Sequence, residues 1–275
     1  MLSYRHAFHA GNFADVLKHL VLAKTIQYMT QKPVAIRYID THAGSGCYPL
    51  NSAMSQKTGE YETGAGALKN LLQKASFSPY GSVLKQHLAA GKYPGSPQIA
   101  ADLLRAHDQL YLHEMHPTDF SLLGKWAGSD RRIRVAQSDG HQALKSLPPA
   151  VKGRALVLMD PSFEMKQEYL QAISSLEAGY KRMPNATFLL WYPVVQRNQI
   201  DKMISRLRTT PLRDVWQFEF CRTLDTKDHG MTGSGILAIN PPWTLAGELS
   251  DLLPQIKASI APTDGHWRVE NLIPE

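Results

Sequence analysis

From Ser96 onward the sequence alternates short apolar runs with amphipathic ones, and this alternation restricts the fold more than any other feature. The apolar runs are "QLYLHE" (109–114), "RIRVA" (132–136), "RALVLM" (154–159) and "ATFLLWY" (186–192). Helical patterns over 96–106, 117–126, 139–147, 166–182 and 197–208 separate or follow them. Strands joined through helices cannot pair as hairpins. They lie parallel in one sheet, with helices on both faces. Upstream, 34–39 adds a strand after a helix over 13–29, in which Phe13, Val16, Leu17, Leu20, Ala23 and Ile26 share a face. Ser96, with Pro97 behind it, reads as a helix N-cap. Near the end, 214–221 and 234–239 follow each other with no helix between, which predicts an antiparallel final pair. The expectation is an α/β chain with a mostly parallel seven-stranded sheet.

Residues 47–95 break this rhythm. They are polar and glycine-rich, with two short helical patterns near 66–75 and 80–90. They read as a small inserted helical subdomain within a main domain made of 1–46 and 96–275. Two cysteines, Cys47 and Cys221, are too few for a disulfide scaffold. Asp15, Lys18 and His19 interrupt the first apolar segment, so it is no signal peptide, and no apolar run is long enough to span a bilayer. The expected setting is the cytoplasm, away from membranes. A net charge of +6 fits a polyanionic partner but does not demand one.

In an open parallel sheet, ligands bind beyond the carboxyl ends of the strands. The first strand runs into Asp40-Thr41-His42-Ala43-Gly44-Ser45-Gly46, the second ends in Glu114, the third in Ser138-Asp139-Gly140 and the fourth in Asp160. An acid at Glu114 can accept two hydrogen bonds from ribose hydroxyls. In dinucleotide folds that acid follows the glycine loop by about twenty residues; here the inserted segment explains the longer gap. Asp40 and His42 are poor neighbours for a pyrophosphate. A nucleoside cofactor without phosphates fits better, and S-adenosylmethionine is the obvious one. Asp40, His42, His113 and His116 raise a metal hydrolase as an alternative, but "HEMH" lacks the HExxH spacing and sits on a strand end, so no metal is expected. A non-catalytic RNA-binding protein would not need acids at three successive strand ends.

The stretches "MLSYRHAFHAGNFADVLKH", "DTHAGSG", "YPGSP", "SDG", "DPSFE", "WYP" and "GSGILAINPPW" together resemble the bacterial 23S ribosomal RNA adenine-N6 methyltransferases of the methyltransferase J family. The resemblance runs from residue 1 to about 243. It implies a Rossmann-like class I fold with a helical insertion after the first glycine loop, S-adenosylmethionine as cofactor and one adenine of 23S RNA as target. Another nucleic acid is the alternative target. No obligatory protein partner is implied, and a monomer suffices. By the same resemblance, Lys18 and His19 hold the methionine end of the cofactor, and His42, Gly44 and Ser96 line its pocket. Glu114 takes the ribose, Asp139 with Gly140 meets the adenine, and Tyr4 lies near the incoming nucleotide. Asp160 and the Pro161 carbonyl face the target amine, and Phe163 stacks on its base. Ser162 departs from the usual second proline of this motif. Lys69, Lys74, Lys85 and Lys92 of the inserted segment are candidates for RNA phosphates.

Two turns compete as the catalytic motif. "DPSF" (160–163) ends the fourth strand beside the glycine loop. "NPPW" (240–243) matches the general pattern better but ends the last strand, expected toward the sheet edge. Position favours "DPSF". "NPPW" then reads as a rigid turn that buries Trp243.

Overall fold

The structure, a computed structural model, describes residues 5–146, 154–226 and 230–275. Its strands are β1 (Ile36–Asp40), β2 (Cys47–Pro49), β3 (Lys92–Pro94), β4 (Gln109–Glu114), β5 (Ile133–Gln137), β6 (Arg154–Met159), β7 (Thr187–Val194), β8 (Val215–Cys221), β9 (Gly233–Ile239) and β10 (His266–Ile273). The main sheet has the order β10-β8-β9-β7-β6-β1-β4-β5. The pairs from β5 to β7 are parallel, whereas β9, β8 and β10 add on antiparallel. This order is that of a Rossmann-like doubly wound sheet, as expected, its direction of winding reversing between β1 and β6.

β7 and β9 are buried along their whole length, as a sheet covered on both faces requires. Helices Phe13–Met29, Ser96–Leu103 and Leu245–Ile260 pack together on one face, and Gly140–Ser146, Gln167–Arg182 and Arg197–Leu207 on the other. The sheet has eight strands, not the seven expected. β10 pairs with β8 along the edge. Its sequence "HWRVENLI" carries charges and only one buried residue, as suits an edge strand that must not recruit a neighbour. That composition hides it from a search for apolar runs.

Helix Phe13–Met29 also differs from expectation. Only Gln27 and Tyr28 escape burial, so it is not amphipathic but enclosed. One side lies on the sheet and another under the 47–95 segment, whose Leu68, Phe77, Tyr80 and Tyr93 are fully buried. Asn12 caps this helix, accepting from the Ala14 and Asp15 amides. The ends of the 47–95 segment meet in the β2–β3 ladder, which pairs Cys47 with Pro94. Within it, the pattern near 66–75 forms no α-helix. It breaks into 3₁₀ turns at Ala65–Leu68, Leu71–Gln73 and Ala75–Phe77, while Tyr80–Ala89 is helical. Each short turn sinks an apolar anchor (Leu68, Leu71 and Leu72, Phe77) into the core, and successive anchors replace a continuous helical face.

Candidate active site

β1 ends in Asp40, fully buried, which accepts hydrogen bonds from Tyr38 Oη and Ser96 Oγ, both at 2.7 Å. Burial pushes the Asp40 carboxyl up to about 6 against these donors. Ser96 is therefore no N-cap. Its helix starts at Ser96 after a Gly95 cap without a side-chain bond, and the hydroxyl ties that helix to β1 instead. Beyond β1 the loop folds back so that Gly44 N–H donates to Glu114 Oε2 at 2.8 Å, and Glu114 Oε1 accepts from His116 N–H at 2.7 Å. Glu114 thus shapes the glycine loop besides facing the cavity. Burial raises its carboxyl above the usual range, partly offset by these amides. Gly44 has φ +59, a conformation that favours glycine. At Gly140 a Cβ would collide with the Thr41 carbonyl, so glycine there lets the start of helix Gly140–Ser146 touch the loop. Asp139 Oδ1 accepts from the His141 amide, capping that helix.

These strand ends surround a cavity of about 310 Å³. Lys18, His19, His42, Gly44, Ser96, Glu114, Asp139, Gly140, Asp160 and Pro161 all line it. Sequence reasoning missed the apolar rim of Met115 and Met165, which are 50% and 59% exposed. Burial holds His42 neutral, down to about 3. His19, also pushed down to about 3 by burial, pairs Nδ1 with Tyr93 Oη at 2.8 Å. Tyr4 lies outside the described residues. Among the described residues no group of His, Cys, Asp and Glu could hold a metal ion.

A second cavity, about 320 Å³, adjoins the first. Four residues line both: His6, Lys18, Asp160 and Ser162. Their centre is an ion-paired chain. Lys18 Nζ lies 2.8 Å from Asp15 Oδ1 and 2.5 Å from Asp160 Oδ2. Asp15 Oδ2 accepts from the Gly11 amide and pairs with His6 Nε2. Burial opposes both charges, yet His6 and Lys18 hold the Asp15 carboxyl well below its usual range, and the two carboxylates raise the Lys18 ammonium. Asp15 carried no flag in the sequence beyond its place in the N-terminal block. Trp191, from the "WYP" stretch, and Phe163 form the aromatic wall of the second cavity. Phe163 is 9% exposed and packed against Tyr169 and Trp191, with centroids 4.6 and 6.0 Å away. It is part of a rigid wall, not a free ring.

The competing turn sits elsewhere. β9 runs antiparallel to β7 and pairs Ile239 with Phe188, at the start of β7. Asn240 is therefore at the opposite end of the sheet from Asp160. Lateral position was the wrong criterion: β9 is only two places from β6. Asn240, with φ +49, donates its amide to the Pro184 and Ala186 carbonyls. Trp243 is 82% exposed, so the turn does not bury it; its function is the Asn240 latch.

Comparisons with known proteins agree with this geometry. The family model "Ribosomal RNA large subunit methyltransferase D, RlmJ" matches residues 32–273. Ribosomal RNA large subunit methyltransferase J of Escherichia coli K12 is 43% identical over 283 aligned residues, and that of Haemophilus influenzae 40% over 281, each alignment covering all of both chains. The crystal structure of protein LPL1258 from Legionella pneumophila is similar at TM-score 0.86 and 31% identity, over 96% of this chain and 98% of that one. A class I sheet, a cavity at its strand-order reversal and a full-length match thus meet in one assignment: the chain belongs to the RlmJ family of ribosomal RNA large subunit methyltransferases.

Proposed function

We propose that this enzyme transfers the methyl group of S-adenosylmethionine to the exocyclic N6 of one adenine in 23S ribosomal RNA. The observation that carries the reading is the shared wall: two cavities of similar size meet at His6, Lys18, Asp160 and Ser162. Direct methyl transfer needs donor and acceptor in adjoining spaces that open onto each other, so that the reacting atoms touch at the junction.

The first cavity suits the cofactor by its donor set. Glu114 offers carboxylate lone pairs to a ribose, the Asp139–Gly140 turn lies beside it, and Met115 and Met165 give apolar cover. Lys18, His19, His42, Gly44 and Ser96 form the remaining wall. S-adenosylmethionine supplies an electrophilic methyl group on a sulfonium, which leaves as a neutral thioether. The target base occupies the second cavity against Trp191 and Phe163. Its amine is a poor nucleophile because its lone pair is delocalised into the ring. Asp160 Oδ1 and the Pro161 carbonyl accept its two N–H bonds and draw the nitrogen toward a tetrahedral shape. Lys18, fixed by Asp15, grips Oδ2 and orients that carboxylate. Electrostatics and positioning supply most of the acceleration. The proton released after transfer leaves by way of Asp160.

The 47–95 segment acts in this reading as an inserted subdomain whose Lys69, Lys74, Lys85 and Lys92 meet RNA phosphates. RNA affinity then falls steeply with salt while cofactor affinity barely moves. The deciding experiment incubates the enzyme with S-adenosylmethionine and 23S RNA from cells lacking the gene, and maps the product by mass spectrometry. One N6-methyladenosine is expected. No transfer, or a methyl on another base or atom, overturns the reading.

A further inference from the structure

The second cavity has a polarity gradient that bears on the sugar, not the base. Six ionisable side chains line it: His6, His9, Asp15, Lys18, Glu60 and Asp160. Asp15 and Lys18 lie at its floor, 1% and 4% exposed, and Asp160 is 14% exposed. His9 and Glu60 are the most open, at 37% and 36%. A base whose amine reaches Asp160 therefore leaves its ribose trailing toward the mouth, among His9 and Glu60. Glu60 belongs to the 47–95 segment and reaches this mouth from outside the sheet.

Glu60 is not a loose surface acid. Its Oε1 lies 2.9 Å from His9 Nδ1, and its Oε2 accepts from Asn12 Nδ2 at 3.1 Å. Asn12 is itself fixed, because its Oδ1 caps helix Phe13–Met29. Burial opposes the Glu60 charge, but the His9 contact prevails and lowers its carboxyl below the usual range. The same contact raises the His9 imidazole. The mouth thus presents an oriented carboxylate next to an imidazole whose protonated form it favours. A lone carboxylate would repel an RNA backbone. One paired with an imidazole can accept a hydroxyl while the ring N–H faces the phosphate.

We infer that Glu60 is a specificity-determining residue that accepts a hydrogen bond from the 2′-hydroxyl of the target nucleotide, so that the enzyme selects RNA over DNA at that sugar. The 2′-hydroxyl is the group by which a protein distinguishes the two. This rests on the reading of the second cavity as the target site. It adds a function to the inserted segment that its lysines, facing phosphates, do not provide.

The test couples a protein change to a single-atom change in the RNA. After the methylated adenosine is mapped, splint ligation builds the same 23S transcript with 2′-deoxyadenosine at that position only. Wild type, Glu60→Ala and Glu60→Gln are compared on both RNAs by kcat/KM. Wild type is expected to lose about tenfold to a hundredfold on the deoxy substrate, the range of a hydrogen bond to a charged group. Glu60→Ala should lose as much on the all-ribose RNA and almost nothing further on the deoxy one. Glu60→Gln should fall between. A general structural defect would lower both substrates alike and leave their ratio unchanged. Equal use of both RNAs by wild type, or an unchanged preference in Glu60→Ala, overturns the inference while leaving the target-cavity reading intact. Full methylation of both RNAs by Asp160→Ala, assayed alongside, overturns the cavity reading and this inference with it.

Discussion

Asp160-Pro161-Ser162-Phe163 and Asn240-Pro241-Pro242-Trp243 share a design, yet they close opposite ends of one sheet. β6 runs parallel to β1, so Asp160 emerges beside the glycine loop and lines both cavities. β9 runs against β7, so Asn240 emerges at the far end, lines neither cavity, and ties the Pro184 and Ala186 carbonyls. The better motif match has the worse position. A strand-end motif has chemical meaning only together with the direction of its strand, because parallel strands gather their carboxyl ends on one face and an antiparallel neighbour does not.

The comparison is broken most severely at Asp160. Asp160→Ala is expected to lower single-turnover methyl transfer by about three orders of magnitude, the scale of removing one preorganised group from a transition state, while the protein stays folded. Cofactor affinity should change far less, since Glu114, Asp139 and His42 remain in the first cavity. Isothermal titration and rapid-quench assays on one preparation check both halves. Full activity in Asp160→Ala would remove this turn from the chemistry.

Glu114 sharpens the same contrast within the first cavity. Glu114→Ala should weaken S-adenosylmethionine binding by about 10- to 100-fold, through lost charge-assisted hydrogen bonds. The structure adds that Glu114 holds the Gly44 and His116 amides. The variant should therefore also loosen the glycine loop, seen as faster hydrogen exchange at residues 42–46. Glu114→Gln should bind better than Glu114→Ala. Equal and undiminished binding in both would exclude Glu114 from the cofactor site.

At the other turn the expected loss is one of stability. Asn240→Ala removes two hydrogen bonds and puts alanine at φ +49. A cost of about 2–3 kcal/mol follows from the bonds and the left-handed backbone together. Transfer per folded molecule should be unchanged. A folded but inactive Asn240→Ala would mean that the far end of the sheet takes part in catalysis.

These contrasts also mark what the sequence made legible. The order of strand-end acids needs only the alternation of strands and helices, so Glu114, Asp139 and Asp160 could be placed in one crevice from the text of the chain, whereas Asp40 is buried beneath it. Strand direction beyond β7 was legible only in part. The β8–β9 pair was expected, but β10, with one buried residue among charges, carries no apolar signal. Nor does sequence reveal that one residue does two jobs. Glu114 shapes a loop, and Ser96 ties a helix to Asp40 rather than capping it. Asp15 and Glu60 were missed because their meaning lies in partners distant in the chain, Asp160 through Lys18 for the first and the cavity mouth for the second.

The smallest expected effect lies in the buried wall of the first cavity. His19, 1% exposed, has its imidazole pushed down to about 3 by burial, whereas the unfolded chain protonates near 6.5. Between those values the unfolded state binds more protons, so the His19 contribution to stability is lost as pH falls from about 6.5 toward 3. The loss by pH 5 amounts to about 2 kcal/mol from this residue. Denaturant melts at pH 7 and pH 5 should show it for the wild type and a smaller slope for His19→Gln. Identical slopes would contradict the assignment.

In the proposed reaction two nucleosides meet at the junction lined by His6, Lys18, Asp160 and Ser162. A crystal structure with a bisubstrate analogue, adenosine joined through N6 to the cofactor's amino-acid nucleoside, tests it most directly. The cofactor half is expected in the first cavity with its ribose on Glu114, the adenosine half in the second cavity against Trp191, and the linker passing Asp160. Both halves in one cavity, or a linker remote from Asp160, would contradict it.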